Sequence, residues 1–231
     1  MGRTIISNRP SLNWRVLADN HLMKIAKEGL FSVSLVLIMA VVAFSLSWLW
    51  IGGLLLLFVF LLLFFFRDPK RSTPQDKNLI FSPADGKIIK IQSLGENEFA
   101  PYPATMMSIF LSLLDVHITR APIAGTVRSV TVNQGRYFSA YKDSASEKNA
   151  HVSVNIKGEE TDIFLKQISG SVARRIKSYI KENDKLSAGK KMGIIFLGSR
   201  VDILLPDTFD IKVCQNQKVR AGKTALAKRK R

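Results

Sequence analysis

Cysteine is nearly missing from this chain: Cys214 is the only one in 231 residues. No intramolecular disulfide can form, and nothing argues for an oxidising compartment. Histidine is scarce too. His21, His117 and His151 stand far apart with no Cys/His spacing around them, so no metal site is expected. Acidic residues are the third shortage, 18 against 34 Lys and Arg, which leaves a formal net charge of +16. Such an excess suits a polyanionic partner, either nucleic acid or an anionic lipid surface, and charge alone does not choose between them.

Charge itself is absent from one long segment. Between Gly29 and Phe66 there is no Asp, Glu, Lys or Arg, only apolar side chains with a few Ser and Gly. One helical crossing of a bilayer needs about 20 residues, and this stretch is nearly twice that long, so two short helices fit it better than one. The Ser45–Gly53 region, with Trp48, Trp50, Gly52 and Gly53, has the weakest helix preference and the interfacial aromatics of a hairpin turn. Arg9, Arg15, Lys24 and Lys27 precede the stretch, and Arg67, Lys70 and Arg71 follow it. Basic residues on both flanks put both ends on the cytoplasmic side of the cell's inner membrane. Whether the anchor spans fully or re-enters stays open at this point. A cleaved signal peptide is the weaker reading, because the leading charged region is long and no small-residue cleavage site follows. Residues 1–28 form a basic flank whose positions 10–28 suit an amphipathic surface helix or an ordinary flank equally.

The predicted organisation is therefore a flank over 1–28, a membrane anchor over 29–66 and a water-exposed domain over 67–231, entered through a Pro-containing linker, Arg67–Gln75. In that domain, short apolar runs alternate with Gly, Pro and Asp turns: Lys87–Ile91, Met106–Leu111, Thr126–Val132, His151–Ile156, Ile194–Leu197 and Val201–Leu205. The fold class this predicts is mainly β, a compact barrel or sandwich with few helices behind an α-helical hairpin. One helix is expected at Ser171–Ile180, where Val172, Ile176 and Ile180 recur at helical spacing.

Between two strand-like runs lies Gly198-Ser199. In isolation this is a common turn dipeptide, and the G-x-S-x-G elbow of serine hydrolases is not matched, since Leu197 and Val201 stand where Gly would be needed. Other segments give it meaning. Phe64-Phe65-Phe66-Arg67-Asp68-Pro69 ends the apolar stretch, and Ser82-Pro83-Ala84-Asp85-Gly86 opens the soluble domain. Leu114-Asp115-Val116-His117 then leads to Arg120-Ala121-Pro122. Together and in this order, over roughly residues 20–228, these motifs resemble the phosphatidylserine decarboxylases, particularly their short microbial form.

The resemblance implies a proenzyme that cuts itself between Gly198 and Ser199 into a large chain, 1–198, and a small chain, 199–231, which stay together as a heterodimer. Ser199 would become a covalent pyruvoyl cofactor that forms a Schiff base with phosphatidylserine and releases phosphatidylethanolamine. His117 would act as general base and acid, oriented by Asp85. Asp115 could share that carboxylate role, because on a strand residues 115 and 117 point to one face. The implied partners are phosphatidylserine and an anionic membrane surface, with no nucleic acid, and homo-oligomerisation is left open. Longer family members carry a second histidine where Arg120 stands here, so Arg120 is instead a candidate for binding substrate phosphate or carboxylate. Two further departures are Ser146-Glu147-Lys148-Asn149, where Asn-Glu-Arg-Asn is frequent, and Arg200 after Ser199, where longer members have Thr. His151, in a strand-like run, reads as structural. Two rival readings are a membrane-anchored serine hydrolase and a non-enzymatic basic lipid-binding adaptor, both of which predict an uncut chain.

Overall fold

The computed structural model of the chain describes residues 24–95, 102–138, 140–141, 148–171, 175–196 and 198–230. Most of the expected N-terminal amphipathic segment and much of the Ser146–Asn149 loop lie outside them.

Two helices come first, after a two-residue strand β1, Lys24–Ile25: α1 is Lys27–Ser45 and α2 is Leu49–Phe65. The reversal predicted for Ser45–Gly53 is made in three residues, with Ser47 in the left-handed region at φ 61° and Gly52 and Gly53 already inside α2. The glycines serve close approach instead. A Cβ at Gly52 would lie 2.8 Å from the Phe44 ring, and one at Gly29 would lie 2.3 Å from the Phe66 ring, so the helices run antiparallel and in contact at both ends. Their outer faces stay apolar and bare: Phe31, Trp50, Leu54 and Phe60 are among the most exposed residues of the hairpin. By length and composition α1 could cross a membrane, while α2 is a shorter apolar helix of 17 residues.

The remaining strands are β2 Arg67–Asp68, β3 Leu79–Phe81, β4 Gly86–Leu94, β5 Ala104–Leu111, β6 Ile118–Arg120, β7 Gly125–Asn133 and β8 His151–Lys157. They continue with β9 Asp162–Ile168, β10 Ile176–Ser178, β11 Lys185–Leu186, β12 Lys191–Ile195, β13 Ser199–Pro206, β14 Phe209–Ile211, β15 Lys218–Val219 and β16 Ala225–Arg229. A curled eight-stranded sheet in the order β11-β7-β8-β9-β13-β5-β4-β15 carries the fold, flanked by the three-stranded sheets β10-β12-β6 and β14-β16-β3, and every strand pairing is antiparallel. The mainly β class expected from the alternating runs is thus the observed one. Ile88, Met107, Ile109, Val127, Ile156, Ile163, Val201 and Ile203 belong to the main core. Strand β13 sits between β5 and β9 with all eight residues buried.

Two expectations need correction. The helix predicted for Ser171–Ile180 is not formed over its described part: Ile176–Ser178 is strand β10, paired with Ile195–Gly193 of β12. Helical spacing over ten residues cannot outweigh an available strand edge, because an isolated short helix is marginal and burial decides. The segment Arg67–Gln75 is also not a free linker. Arg67–Asp68 pairs with β1, the Thr73 hydroxyl donates to the Gly222 carbonyl at 2.7 Å, and Gln75 donates to the Ala188 carbonyl at 3.1 Å. The foot of the hairpin is further joined to the β domain by a second, smaller core of Ala26, Phe65, Phe66, Val116, Ile118 and Ile194.

Candidate active site

Strand β13 begins at Ser199, and Gly198 before it stands at φ +66°, a conformation that costs glycine little and other residues more. Ser199 pairs with Leu111, the last residue of β5. From there residues 112–117 form a turn, and its far end comes back to the same neighbourhood, where the Ile195 amide donates to the His117 carbonyl at 3.1 Å. Ser199 thus stands against Leu111 and Ile195 against His117. Ser199 and His117 are both buried, and neither the Ser199 Oγ nor the His117 Nε2 has a hydrogen-bond partner. Buried polar atoms are rarely left unpaired, and among the described residues these two share that condition with side-chain atoms of Asp68, Ser153, Asn155 and Gln167.

His117 is held in one tautomer. Its Nδ1 lies 2.9 Å from the Asp115 carbonyl oxygen, which can only accept, so Nδ1 carries the proton and Nε2 presents a lone pair. The Phe65 ring from the end of α2 covers it at 4.3 Å between centroids. Burial pushes the imidazole pKa down to about 4, against smaller opposing effects of the Asp115 carbonyl bond and the Asp115 and Asp85 charges. At neutral pH the ring is an uncharged proton acceptor.

A stability consequence follows. The folded pKa lies below the ordinary 6.5, so the unfolded chain binds more protons between the two values. Stability conferred by the neutral ring is complete above pH 6.5 and is lost as pH falls toward 4, by about 3 kcal/mol in all. Chemical denaturation from pH 7 to pH 4 should show a loss of that order that is missing from a His117→Asn chain.

Neither of the two expected carboxylates has a hydrogen bond to His117 among those the structure describes. Asp85 does not hold His117: its two oxygens accept from the Arg71 guanidinium at 2.5 and 2.7 Å, and one also accepts from the Ala221 amide at 2.8 Å. It reaches the imidazole only through its charge. Asp115 is not on a strand; its carboxylate closes the turn by accepting from the Ser112 amide at 2.8 Å and the Ser112 hydroxyl at 2.6 Å. The orienting group is the Asp115 main chain, which no residue-type pattern reveals. Arg120, the candidate substrate binder, is buried and engaged with the protein: it donates to the Gly189 and Pro69 carbonyls, each at 3.0 Å, and lies 3.7 Å from Asp68. Burial lowers its pKa. Its nearest role is to fasten β2 to the β domain. His151 bonds through Nδ1 to the Asn149 carbonyl at 2.8 Å. Among the described residues no group of three or more His, Cys, Asp or Glu could hold a metal ion.

The sequence names Arg71, Phe65 and Asn149 without giving any of them a contact. Arg71 is the partner of Asp85, and Phe65 is the cover of His117. Asn149 is buried, its amide donating to the Phe138 and Ser169 carbonyls at 2.7 and 2.8 Å and accepting from the Phe138 amide at 2.9 Å. Because the Arg71–Asp85 pair is nearly sealed from water, removing one partner strands the other. Asp85→Ala should cost about 3–5 kcal/mol, read as a lowered denaturation midpoint, with Arg71→Ala giving a loss of the same order.

Comparison with known proteins places the chain in a family. The family model for phosphatidylserine decarboxylase matches residues 58–227. A phosphatidylserine decarboxylase proenzyme of Carboxydothermus hydrogenoformans is 38% identical over 180 residues, 78% of this chain and 84% of that protein. The proenzyme of the Wolbachia of Brugia malayi is 40% identical over 214 residues, 89% of this chain and 91% of the relative, and that of Syntrophus aciditrophicus is 36% identical over 204 residues, 87% and 96% respectively. With the matched region reaching from the second helix to the last strand, and relatives aligned over most of their own lengths, the chain belongs to the phosphatidylserine decarboxylase family of enzymes.

Proposed function

We propose that the chain is a proenzyme that cuts itself at Gly198–Ser199, turns Ser199 into a pyruvoyl group and then decarboxylates phosphatidylserine to phosphatidylethanolamine. The observation that carries this reading is that Ser199 Oγ, just after the Gly198 turn, and His117 Nε2 are both buried without partners, on segments linked by the Ser199–Leu111 pairing and the Ile195–His117 hydrogen bond. A hydroxyl with no hydrogen bond is available as a nucleophile, and a neutral imidazole with a free lone pair is available to take its proton.

In the maturation step the Ser199 oxygen bonds to the Gly198 carbonyl carbon and the bond from that carbon to the Ser199 nitrogen breaks, so the amide becomes an ester. His117 Nε2 accepts the hydroxyl proton and can return it to the freed amine. Removal of the α-proton of residue 199 then expels the Gly198 carboxylate and leaves a dehydroalanine. Water converts that residue to a pyruvoyl end and ammonia. The ends of β13 and β5 fit such a group, since it needs no more room than the serine it replaces.

The pyruvoyl group supplies an electron-poor ketone that accommodates the electron pair left behind when carbon dioxide departs. His117 Nε2 first takes a proton from the ammonium group of the arriving substrate and then passes it to the carbon that loses carbon dioxide, while the apolar side chains of Phe65, Phe66 and Val116 keep water from competing. The two chains stay joined, because β13 of the small chain is hydrogen-bonded between β5 and β9 of the large chain, and β16 pairs with β3. The bare apolar hairpin lies in the membrane, with its basic flanks and the catalytic domain on the cytoplasmic side. Carbonyl chemistry tests the reading: treatment with borohydride should abolish decarboxylation of phosphatidylserine and add hydrogen to the small chain alone. Activity that survives complete borohydride treatment would overturn it.

A further inference from the structure

The tip of the turn after β5 is apolar where turns are usually polar. Leu113 is 56% and Leu114 71% exposed, and the acid beside them, Asp115, folds back onto Ser112 instead of facing outward. The pair is not isolated. The Arg67 guanidinium donates to the Leu114 carbonyl at 2.5 Å and to the Phe64 carbonyl at 2.7 Å, and it lies 3.9 Å over the Phe64 ring. It thereby fastens the turn to the last helical turn of α2, whose Phe60, Leu61 and Phe64 are also exposed. Exposed apolar side chains thus stand on both elements that Arg67 joins, the hairpin and the turn, and His117 follows three residues further on.

We propose that the Leu113–Leu114 turn is a membrane contact of its own, lodged among lipid headgroups and upper acyl chains beside the foot of the hairpin. An apolar pair next to an arginine whose stem can lie along apolar surface is the composition of the bilayer interface. The net charge of +16 favours an anionic leaflet there. Contact at this point brings the bilayer surface to the rim of the site, so that a headgroup can reach residue 199 while its acyl chains stay in the membrane.

This inference rests on reading the hairpin as a membrane anchor, and the test separates the two. In a Cys214→Ser, Ser199→Ala chain, an environment-sensitive fluorophore is attached at Leu114→Cys, Leu57→Cys or Glu159→Cys, and each protein is reconstituted into vesicles of zwitterionic and anionic lipid brominated high on the acyl chains. Leu57 is an exposed residue of α2, and Glu159 lies in the turn joining β8 to β9, at the opposite end of those strands from Ser199. Bromines should cut the emission at position 114 to about half or less and leave position 159 unchanged. Quenching at 57 without quenching at 114 would overturn the inference while the anchor reading stands, and a blue shift at 114 without quenching, the mark of a second copy covering the turn, would overturn it equally. No quenching at 57 would remove the anchor reading and the inference together.

Discussion

A Ser199→Ala chain is expected to remain one polypeptide of 25.8 kDa, with no trace of the two pieces and no decarboxylase activity. The loss should be complete, because the hydroxyl is both the attacking atom in cleavage and the precursor of the ketone, and nothing else in the turn can replace it. The fold should not suffer. Ser199 Oγ is buried without a partner, so deleting it breaks no hydrogen bond and relieves an unsatisfied polar group; such deletions are neutral or stabilising by about 1 kcal/mol. An unfolding midpoint equal to or above that of the parent, together with an uncut chain, separates lost chemistry from lost structure. A variant still divided at the same bond would refute the role given to Ser199.

The second large effect is expected at His117. Asn in its place keeps an amide donor for the Asp115 carbonyl but removes the proton acceptor that Nε2 provides. General-base assistance is commonly worth about 100- to 10,000-fold, so His117→Asn should slow the appearance of the two pieces by a factor in that range, followed on denaturing gels over days. Because burial keeps the parent ring neutral down to about pH 4, the parent rate should be level from pH 8 to pH 5 and fall only below that. Cleavage of the Asn variant at the parent rate would show that another group takes the proton.

Much of this was legible in the sequence, and the reasons differ by element. The hairpin was readable because a charge-free stretch of its length has few other solutions, and strands such as β5 and β13 were readable from their apolar runs and flanking turns. Strand β10 was not, since Val172, Ile176 and Ile180 satisfy a helical period while β12 offers an edge that local spacing cannot reveal. The site divides in the same way. Gly198, Ser199 and His117 stand in motifs that can be recognised in order. The partner of Asp85 could not be read, because Arg71 lies in a segment with the composition of a linker and meets Asp85 only after the chain has folded back on the Ala221 turn. Nor could the Phe65 cover of His117, a contact between residues 52 positions apart in the chain (117 − 65) that joins the end of a helix to a turn. Asp115 was named for its carboxylate, yet it acts on His117 through its main-chain carbonyl, a group every residue carries.

The measurement that bears most directly on self-made cofactor chemistry is the intact mass of the purified mature protein under denaturing conditions. Two species are expected, a large chain ending in a free carboxylate at Gly198 and a small chain, 199–231, lighter by one ammonia than its unmodified sequence and resistant to Edman degradation. A single species with the mass of the full chain in fully active protein, or a small chain beginning with an ordinary serine, would contradict the account.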